Sequence, residues 1–131
     1  MARTIETPIQ QRFSDIDPFN HVNNVAQQMY FDTGKLDYYK SIFGQDVLLG
    51  NLRIVAVSTS TSYIQQVRMY APVRVTTTCE HVGNKSLTLF QQLFAGNQLC
   101  SESRSVMVVF DFSTQQGIPV SEEWRQLLLG E

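Results

Sequence analysis

Residues 15–24 of this chain read DIDPFNHVNN, and they run directly into a helical pattern that extends from Asn24 to Phe43. Two carboxylates, one of the chain's two histidines and two consecutive amides share this short turn. The first backbone N–H groups of a helix have no intrahelical acceptor, and the helix dipole favours negative charge beside them. An acidic loop that enters a helix therefore predicts an anion-stabilising site.

The helical pattern predicts one apolar helix face through 3- and 4-residue steps. Asp32 stands in line with this face, so it lies either at a half-exposed edge or toward a polar site. Gly44 is the predicted C-terminal stop. Gly34 costs about 1 kcal/mol relative to Ala inside a helix, so we expect a packing reason for it. The predicted face comprises Val25, Met29, Leu36, Tyr39 and Phe43.

Beyond a loop through Gly50, the chain becomes rich in β-branched and aromatic residues, which are typical of strands. Glycine–asparagine pairs at 83–84 and 96–97 predict tight hairpins and hence an antiparallel meander. The predicted strands cover about residues 5–13, then Ile54–Val67, Val73–Val82, Ser86–Ala95 and Gln98–Phe112.

Alternating apolar residues predict which face of the last two strands is buried. Ser121 is a predicted N-cap, with two acidic residues after it, for a short terminal helix over Trp124–Leu129. The predicted buried face comprises Leu87, Leu89, Leu93, Val106, Val108, Phe110 and Phe112.

This element order predicts a single α+β domain over residues 1–131, with five antiparallel strands wrapped around one long helix. One helix cannot cover both faces of such a sheet, so an edge or the second face needs a partner. The hydroxyl run Ser58–Ser62 suits a strand at a subunit boundary, a wet cleft or a plain exposed edge. We therefore expect a homo-oligomer.

Composition narrows the class of protein. The chain has 131 residues, a net charge of −2 and 43% hydrophobic residues, with no basic run, so nucleic acid and anionic membranes are not expected partners. No stretch is long and apolar enough to cross a bilayer, and the N-terminal sequence lacks a signal-peptide core. Cys79 and Cys100 lie in predicted strands and lack metal-ligand spacing, which favours reduced thiols over a disulfide. Reduced thiols in turn favour a cytoplasmic protein.

Four separated motifs resemble one family. Residues 13–24, FSDIDPFNHVNN, and residues 30–35, YFDTGK, resemble the signature of the hotdog-fold acyl-CoA thioesterases, in particular the 4-hydroxybenzoyl-CoA thioesterase-like branch. Residues 63–67, YIQQV, resemble the family's Tyr-x-x-Pro-Val step, and residues 83–86, GNKS, resemble its Gly-x-Lys-Ser hairpin. The resemblance implies a hotdog fold, a dimer or tetramer, and acyl-CoA sites at the subunit interface.

The resemblance implies that Asp17 is the catalytic carboxylate, as nucleophile or as general base for water, and that helix N–H groups polarise the thioester carbonyl. The chemistry agrees, because thioester hydrolysis needs an activated oxygen nucleophile and donors toward the developing oxyanion, each worth about 3–4 kcal/mol. His21 either orients the carbonyl or water, or fixes the loop. Asn23 and Asn24 are either N-caps or contacts to the acyl carbonyl.

The remaining site residues are expected in supporting roles. Asp15 is expected to hydrogen-bond the loop, and Asp15, Asp17 and His21 offer too few ligands for a metal site. Tyr30 and Asp32 on the helix are candidate substrate contacts. Lys85 and Ser86 either meet the CoA phosphates or belong to a solvated turn.

The substrate is expected to be an acyl-CoA or an acyl-carrier-protein thioester, and the reaction needs no cofactor. Asn20 replaces the glycine that usually precedes the histidine, and it can keep the turn because Asn tolerates positive φ. Gln66 stands where Pro is common. Two other functions stay open: a hotdog hydratase or dehydratase, although the dehydratase His-Phe-Pro motif is missing, and a non-catalytic acyl-CoA-binding module.

Overall fold

The computed structural model describes residues 2–44 and 52–131, and the predicted loop through Gly50 lies outside these ranges. A single turn of 3-10 helix, Phe13–Asp15, precedes the long helix. The elements in chain order are β1 (Thr4–Ile9), α1 (Asn24–Phe43), β2 (Leu52–Tyr63), β3 (Val73–Val82), β4 (Ser86–Ala95), β5 (Gln98–Asp111), β6 (Gln116–Gly117) and α2 (Glu122–Leu129).

The antiparallel sheet has the order β1-β3-β4-β5-β2, with the two-residue β6 added on β5. The expected meander therefore holds only for β3–β5, because β2 crosses over to pair with β5. The first strand ends at Ile9, earlier than predicted. β2 also ends early, because the backbone N–H groups of Ile64 and Gln65 both donate to the Cys100 carbonyl and turn the chain out of the ladder.

The predicted apolar face of α1 is wrong for most of its length. Val25 is 66% exposed, and Met29 and Leu36 are also exposed, whereas Tyr39 is buried as expected. Another face of α1 packs on the sheet, because it carries several larger aromatic side chains and buries more apolar area. It comprises Ala26, Tyr30, Phe31, Gly34, Tyr38 and Ile42.

Gly34 has the expected packing reason. A Cβ placed there would lie 2.7 Å from Cγ1 of Val75 and 3.2 Å from Oγ1 of Thr77, closer than side chains tolerate. The glycine lets α1 approach β3 and β4 closely enough for the buried Gln91 side chain to donate to the Phe31 carbonyl at 2.8 Å.

The predicted buried face of β5 is also wrong. Leu87 is buried as expected and pairs with Met107, so Met107 and Val109 point inward, whereas Val106 and Val108 lie on the outer face of the sheet. Buried serines occupy the inward positions farther along β5. They are tolerated because they are hydrogen-bonded: Ser105 to Thr59, Ser103 to Thr61 and Ser101 to Gln27.

The core consists of two apolar clusters between sheet and helix, one near each end of α1. Cys79 belongs to one and Cys100 to the other, and both are buried free thiols, as predicted. Ser121 caps α2 as predicted, accepting from the Trp124 N–H at 3.1 Å. The predicted architecture, a long helix on an antiparallel sheet with a short terminal helix, is confirmed.

Candidate active site

Asp15 anchors the loop that precedes α1. Its carboxylate is 2% exposed and accepts from the Tyr30 hydroxyl at 2.6 Å, the Arg12 backbone N–H at 2.9 Å and the Arg12 guanidinium at 3.0 Å. Its carbonyl accepts from the Asn23 N–H at 2.9 Å. The expectation that Asp15 hydrogen-bonds the loop is therefore met, and Asp15 ties the loop to the start of the helix.

The electrostatics of this anchor favour the ionised carboxylate. Burial by itself would raise the pKa of Asp15, but hydrogen bonds from Tyr30 and Arg12 and the charge of Arg12 outweigh it and hold the pKa below the usual 3.8. Burial and the neighbouring carboxylate raise the pKa of Tyr30, so its hydroxyl remains a donor.

Asp17 is half-buried, and its turn is closed by its own side chain. Oδ1 accepts from the backbone N–H groups of Phe19 at 2.9 Å and His21 at 3.3 Å. Oδ2 has no donor within the described ranges. Asn20 has φ +64°, so the left-handed conformation that usually calls for glycine is kept with an asparagine.

The start of α1 offers free backbone donors. The Asn23 side chain accepts from the Ala26 N–H at 2.7 Å, which makes Asn23 the N-cap and Asn24 the first helical residue. In the part of the chain that the structure describes, the N–H groups of Asn24 and Val25 have no acceptor. Two donors at the positive end of the helix dipole are thus available to a developing oxyanion.

One pocket of about 470 Å³ joins the loop to the helix start. It brings together the four residues predicted to be catalytic: Asp17, His21, Asn23 and Asn24. Sequence reasoning missed Gln27 as a lining residue, because an interior helical glutamine carries no local signal. The segment 63–66 also lines the pocket, and its motif resemblance was the available signal.

The other predicted contacts lie elsewhere on this chain. Tyr30 is buried, with its hydroxyl on Asp15, and lines a separate groove of about 500 Å³ with Asp32. Asp32 is exposed, and its carboxylate lies 3.6 Å from the ammonium of Lys35, which is mostly buried.

Lys85 and Ser86 lie toward the opposite end of the sheet. The pocket residue Gln27 bonds Ser101, and Ser101 pairs with Leu93 on β4. Seven residue steps along β4 separate Leu93 from Ser86, about 23 Å at the rise of a strand. Within one protomer, these two residues do not reach the pocket.

Two further observations concern the described residues, 2–44 and 52–131. No group of three or more histidine, cysteine, aspartate or glutamate side chains there has metal-binding geometry. No helix within those ranges combines the length and apolar character that a membrane span requires.

Residues 11–128 match the family model described as the thioesterase-like superfamily. The chain is a member of the thioesterase-like superfamily. A curated relative of this thioesterase-like protein, the uncharacterized protein YsmA of Bacillus subtilis (strain 168), is 30% identical over 122 residues, or 90% of this chain and 80% of YsmA.

Solved structures share the fold. A predicted thioesterase from Bacillus stearothermophilus is 29% identical, with a TM-score of 0.90 over 98% of this chain and 96% of that one. A thioesterase from Thermus thermophilus, complexed with coenzyme A and Zn, is 20% identical, with a TM-score of 0.84 over 95% and 91% of the two chains. The hotdog fold and a thioester hydrolase, both implied by the sequence motifs, are confirmed at the level of the family.

Proposed function

We propose that this thioesterase-like protein hydrolyses an acyl-CoA to the free acid and CoA, with Asp17 as its catalytic carboxylate. The observation that carries the proposal is one pocket that is lined by Asp17 and lies at a helix start with free N–H groups. The alternative carrier, an acyl-carrier protein, presents the same thioester. The family and the CoA-bound relative support the substrate class.

The two carboxylate oxygens of Asp17 differ in their hydrogen bonds, and this difference fits the reaction. Oδ1 is held by two backbone donors, which fixes the carboxylate, while Oδ2 is left to act on water or on the carbonyl carbon. As a general base, Oδ2 takes a proton while the water oxygen adds to the carbonyl carbon. The Asn24 and Val25 N–H groups stabilise the oxyanion, the C–S bond then breaks, and the CoA thiolate leaves and is protonated.

As a nucleophile, Asp17 would instead attack the carbonyl carbon, and the C–S bond breaks as the CoA thiolate leaves and is protonated. The acyl anhydride that is formed is cleaved afterwards by water. A single turnover in ¹⁸O-labelled water separates the general-base route from a nucleophilic route in which water attacks the aspartyl carbonyl. General-base catalysis labels the product acid at once. The nucleophilic route, with water attacking the aspartyl carbonyl, leaves the first product unlabelled and labels Asp17.

His21, Asn23 and Asn24 support the reaction in this proposal. The His21 backbone N–H helps to hold Asp17, and His21 is a lining residue of the pocket, where we assign its imidazole to orient water or the carbonyl. The Asn23 cap keeps the helix start open toward the pocket, and Asn24 provides a free N–H.

A second copy of the chain completes the proposed enzyme. β2 is a 12-residue strand at the edge of the sheet, and most of its residues are exposed, so a partner's strand can pair with it. Such pairing would extend the sheet across the subunit boundary. Lys85 and Ser86 of the same protomer do not line the Asp17 pocket, so a role for them at the CoA phosphates would need the partner subunit. A homodimer or homotetramer, Tyr30 and Asp32 as substrate contacts, and a cytoplasmic location remain predictions.

The decisive test is Asp17→Asn on an acyl-CoA that the wild-type protein hydrolyses. We expect kcat to fall at least about 100-fold, as for loss of a main acid–base group. Asp111→Asn is the matched control, because Asp111 also accepts from a backbone N–H two residues ahead, that of Ser113 at 2.8 Å, and it does not line the pocket.

Wild-type kcat in Asp17→Asn would refute the assignment. Free-thiol release should be screened over short, medium, long and aromatic acyl-CoAs, with double-bond hydration followed on the same substrates. Tight acyl-CoA binding without thiol release from any of them would favour the non-catalytic binding module instead, and hydration without hydrolysis would favour the hydratase.

A further inference from the structure

A second pocket shares two lining residues with the Asp17 pocket. It has a volume of about 310 Å³, and Gln65 and Gln66 line both pockets. Its remaining lining is small or polar apart from one cation, Arg68. The two pockets are therefore neighbours, and a ligand that lies at Asp17 and passes the two glutamines meets a positive charge.

Arg68 is held against the Asp17 loop by backbone hydrogen bonds. The Val22 N–H donates to the Val67 carbonyl at 2.8 Å, and the Met69 N–H donates to the Asn20 carbonyl at 3.2 Å. An antiparallel bridge pairs His21 with Arg68 itself. The position of Arg68 relative to Asp17 is thus set by the backbone.

The side chain of Gln11 holds the other side of the Arg68 turn. Its amide donates to the carbonyls of Arg68 at 3.0 Å and Ala71 at 2.9 Å, and its oxygen accepts from the Tyr70 N–H at 2.8 Å. These bonds hold Tyr70 at φ +66°, a conformation unusual for a bulky residue. Hydrogen bonds to Gln11 therefore fix the conformation of this turn, although it lies on the surface.

The Arg68 guanidinium is available to an anion. Arg12, Arg74 and Arg104 each pair with a carboxylate, whereas Arg68 has no carboxylate partner in the described ranges. Two exposed aromatic residues belong to the joined loops: Phe19 is 77% exposed and Tyr70 is 79% exposed. A guanidinium without a carboxylate partner, on loops that also carry exposed rings, suits a nucleotide, since arginine binds phosphate in a bidentate manner and aromatic rings stack on bases.

We propose that Arg68 binds the phosphate groups of the CoA half of the substrate, in the same protomer that supplies Asp17. This inference rests on the proposed function, because the ligand is the acyl-CoA that Asp17 would hydrolyse. Arg68 is then a specificity residue for CoA over thioesters without phosphate. It differs from the sequence analysis, which offered Lys85 and Ser86 either as contacts to the CoA phosphates or as part of a solvated turn.

The test compares one acyl group on two carriers, CoA and pantetheine, which lacks the nucleotide and its phosphates. With Arg68→Gln we expect KM for the acyl-CoA to rise about 10-fold, as for loss of a charge-assisted hydrogen bond, with kcat within about two-fold of wild type. Hydrolysis of the acyl-pantetheine should not change. Arg3→Gln removes an equal charge from an exposed site, where the guanidinium donates to the Ser41 carbonyl, and should behave as wild type.

Direct binding of CoA itself makes the test independent of catalysis. Calorimetry should show that wild type binds CoA more tightly than pantetheine and that Arg68→Gln loses about 10-fold of the CoA affinity only. Equal losses of affinity for CoA and pantetheine in Arg68→Gln, or no loss for either, would overturn the inference. A loss of CoA affinity that appears in Lys85→Gln but not in Arg68→Gln would also overturn it. A protein that binds CoA through Arg68 but hydrolyses no thioester would refute the proposed function and support this inference.

Discussion

Tyr30→Phe tests whether the buried anchor stabilises the active-site loop as its contacts indicate. The change removes only the hydroxyl that donates to Oδ2 of Asp15 at 2.6 Å. The ring stays in the apolar cluster formed with Val22, Phe31 and their neighbours. The carboxylate keeps its backbone and guanidinium bonds from Arg12.

The magnitude follows from the charge and burial of the acceptor. A hydrogen bond to a charged group contributes about 1.5–3 kcal/mol, and Asp15 is 2% exposed, so water cannot replace the lost donor well. Because Arg12 still satisfies part of the carboxylate, we expect a loss of about 2 kcal/mol in the free energy of unfolding. With a urea m-value near 2 kcal/mol/M, the midpoint should fall by about 1 M.

The loss should depend on pH in a defined direction. Because the folded-state pKa of Asp15 lies below its unfolded value, the ionised anchor stabilises the protein above about pH 4, and this contribution is lost as pH falls through the folded-state pKa. Removing the Tyr30 donor takes away the largest of the effects that lower the folded-state pKa, so this pKa rises. The difference in stability between wild type and variant should therefore be full at pH 7 and narrow below pH 4.

Tyr39→Phe is the matched control. It deletes the same atom from another buried tyrosine of α1, whose hydroxyl has no hydrogen-bond partner in the described ranges. We expect its stability to be unchanged or slightly raised, since no bond is lost. Urea unfolding followed by the fluorescence of Trp124, the single tryptophan, measures both variants at one protein concentration, because oligomerisation is linked to stability. Equal losses in the two variants, or a loss in Tyr30→Phe that stays constant from pH 7 to pH 3, would refute the reasoning.

Three further predictions concern packing, the loop and assembly. Gly34→Ala should lower the free energy of unfolding by about 1–3 kcal/mol, despite the better helix propensity of Ala, because the added Cβ meets Val75. The control Ser41→Ala, on the exposed side of α1, should leave the free energy of unfolding unchanged. Urea titration measures both variants. Asn20→Gly should keep the φ +64° turn and a kcat within about three-fold of wild type, whereas Asn20→Val should be unstable by at least about 1 kcal/mol in the same titration and less active in thiol release. Val57→Lys places a charge at the bulge of the exposed edge strand β2 and should shift the light-scattering mass toward the monomer; an unchanged oligomer would argue against pairing through β2.

Local chemistry determined several features that the sequence alone predicted. The bounds of α1, β3 and β4 match the prediction, because helical periodicity and Gly-Asn turns act over a few residues. The positive φ of Asn20 and the Asn23 cap were also foreseeable, since both depend on the side chain at that position. The grouping of Asp17, His21, Asn23 and Asn24 follows from their closeness along the chain.

Only the tertiary structure decided which faces are buried and which distant segments meet. Both faces of α1 and of β5 carry apolar residues, so periodicity could not predict which face is buried. Packing buried the aromatic face of α1. On β5, hydrogen bonds allow Ser101 and Ser103 to be buried. The pairing of β2 with β5, which the sequence order does not reveal, placed the glutamines of residues 65–66 beside Asp17. These outcomes depend on contacts between residues far apart in sequence, and such contacts leave no local pattern in the chain.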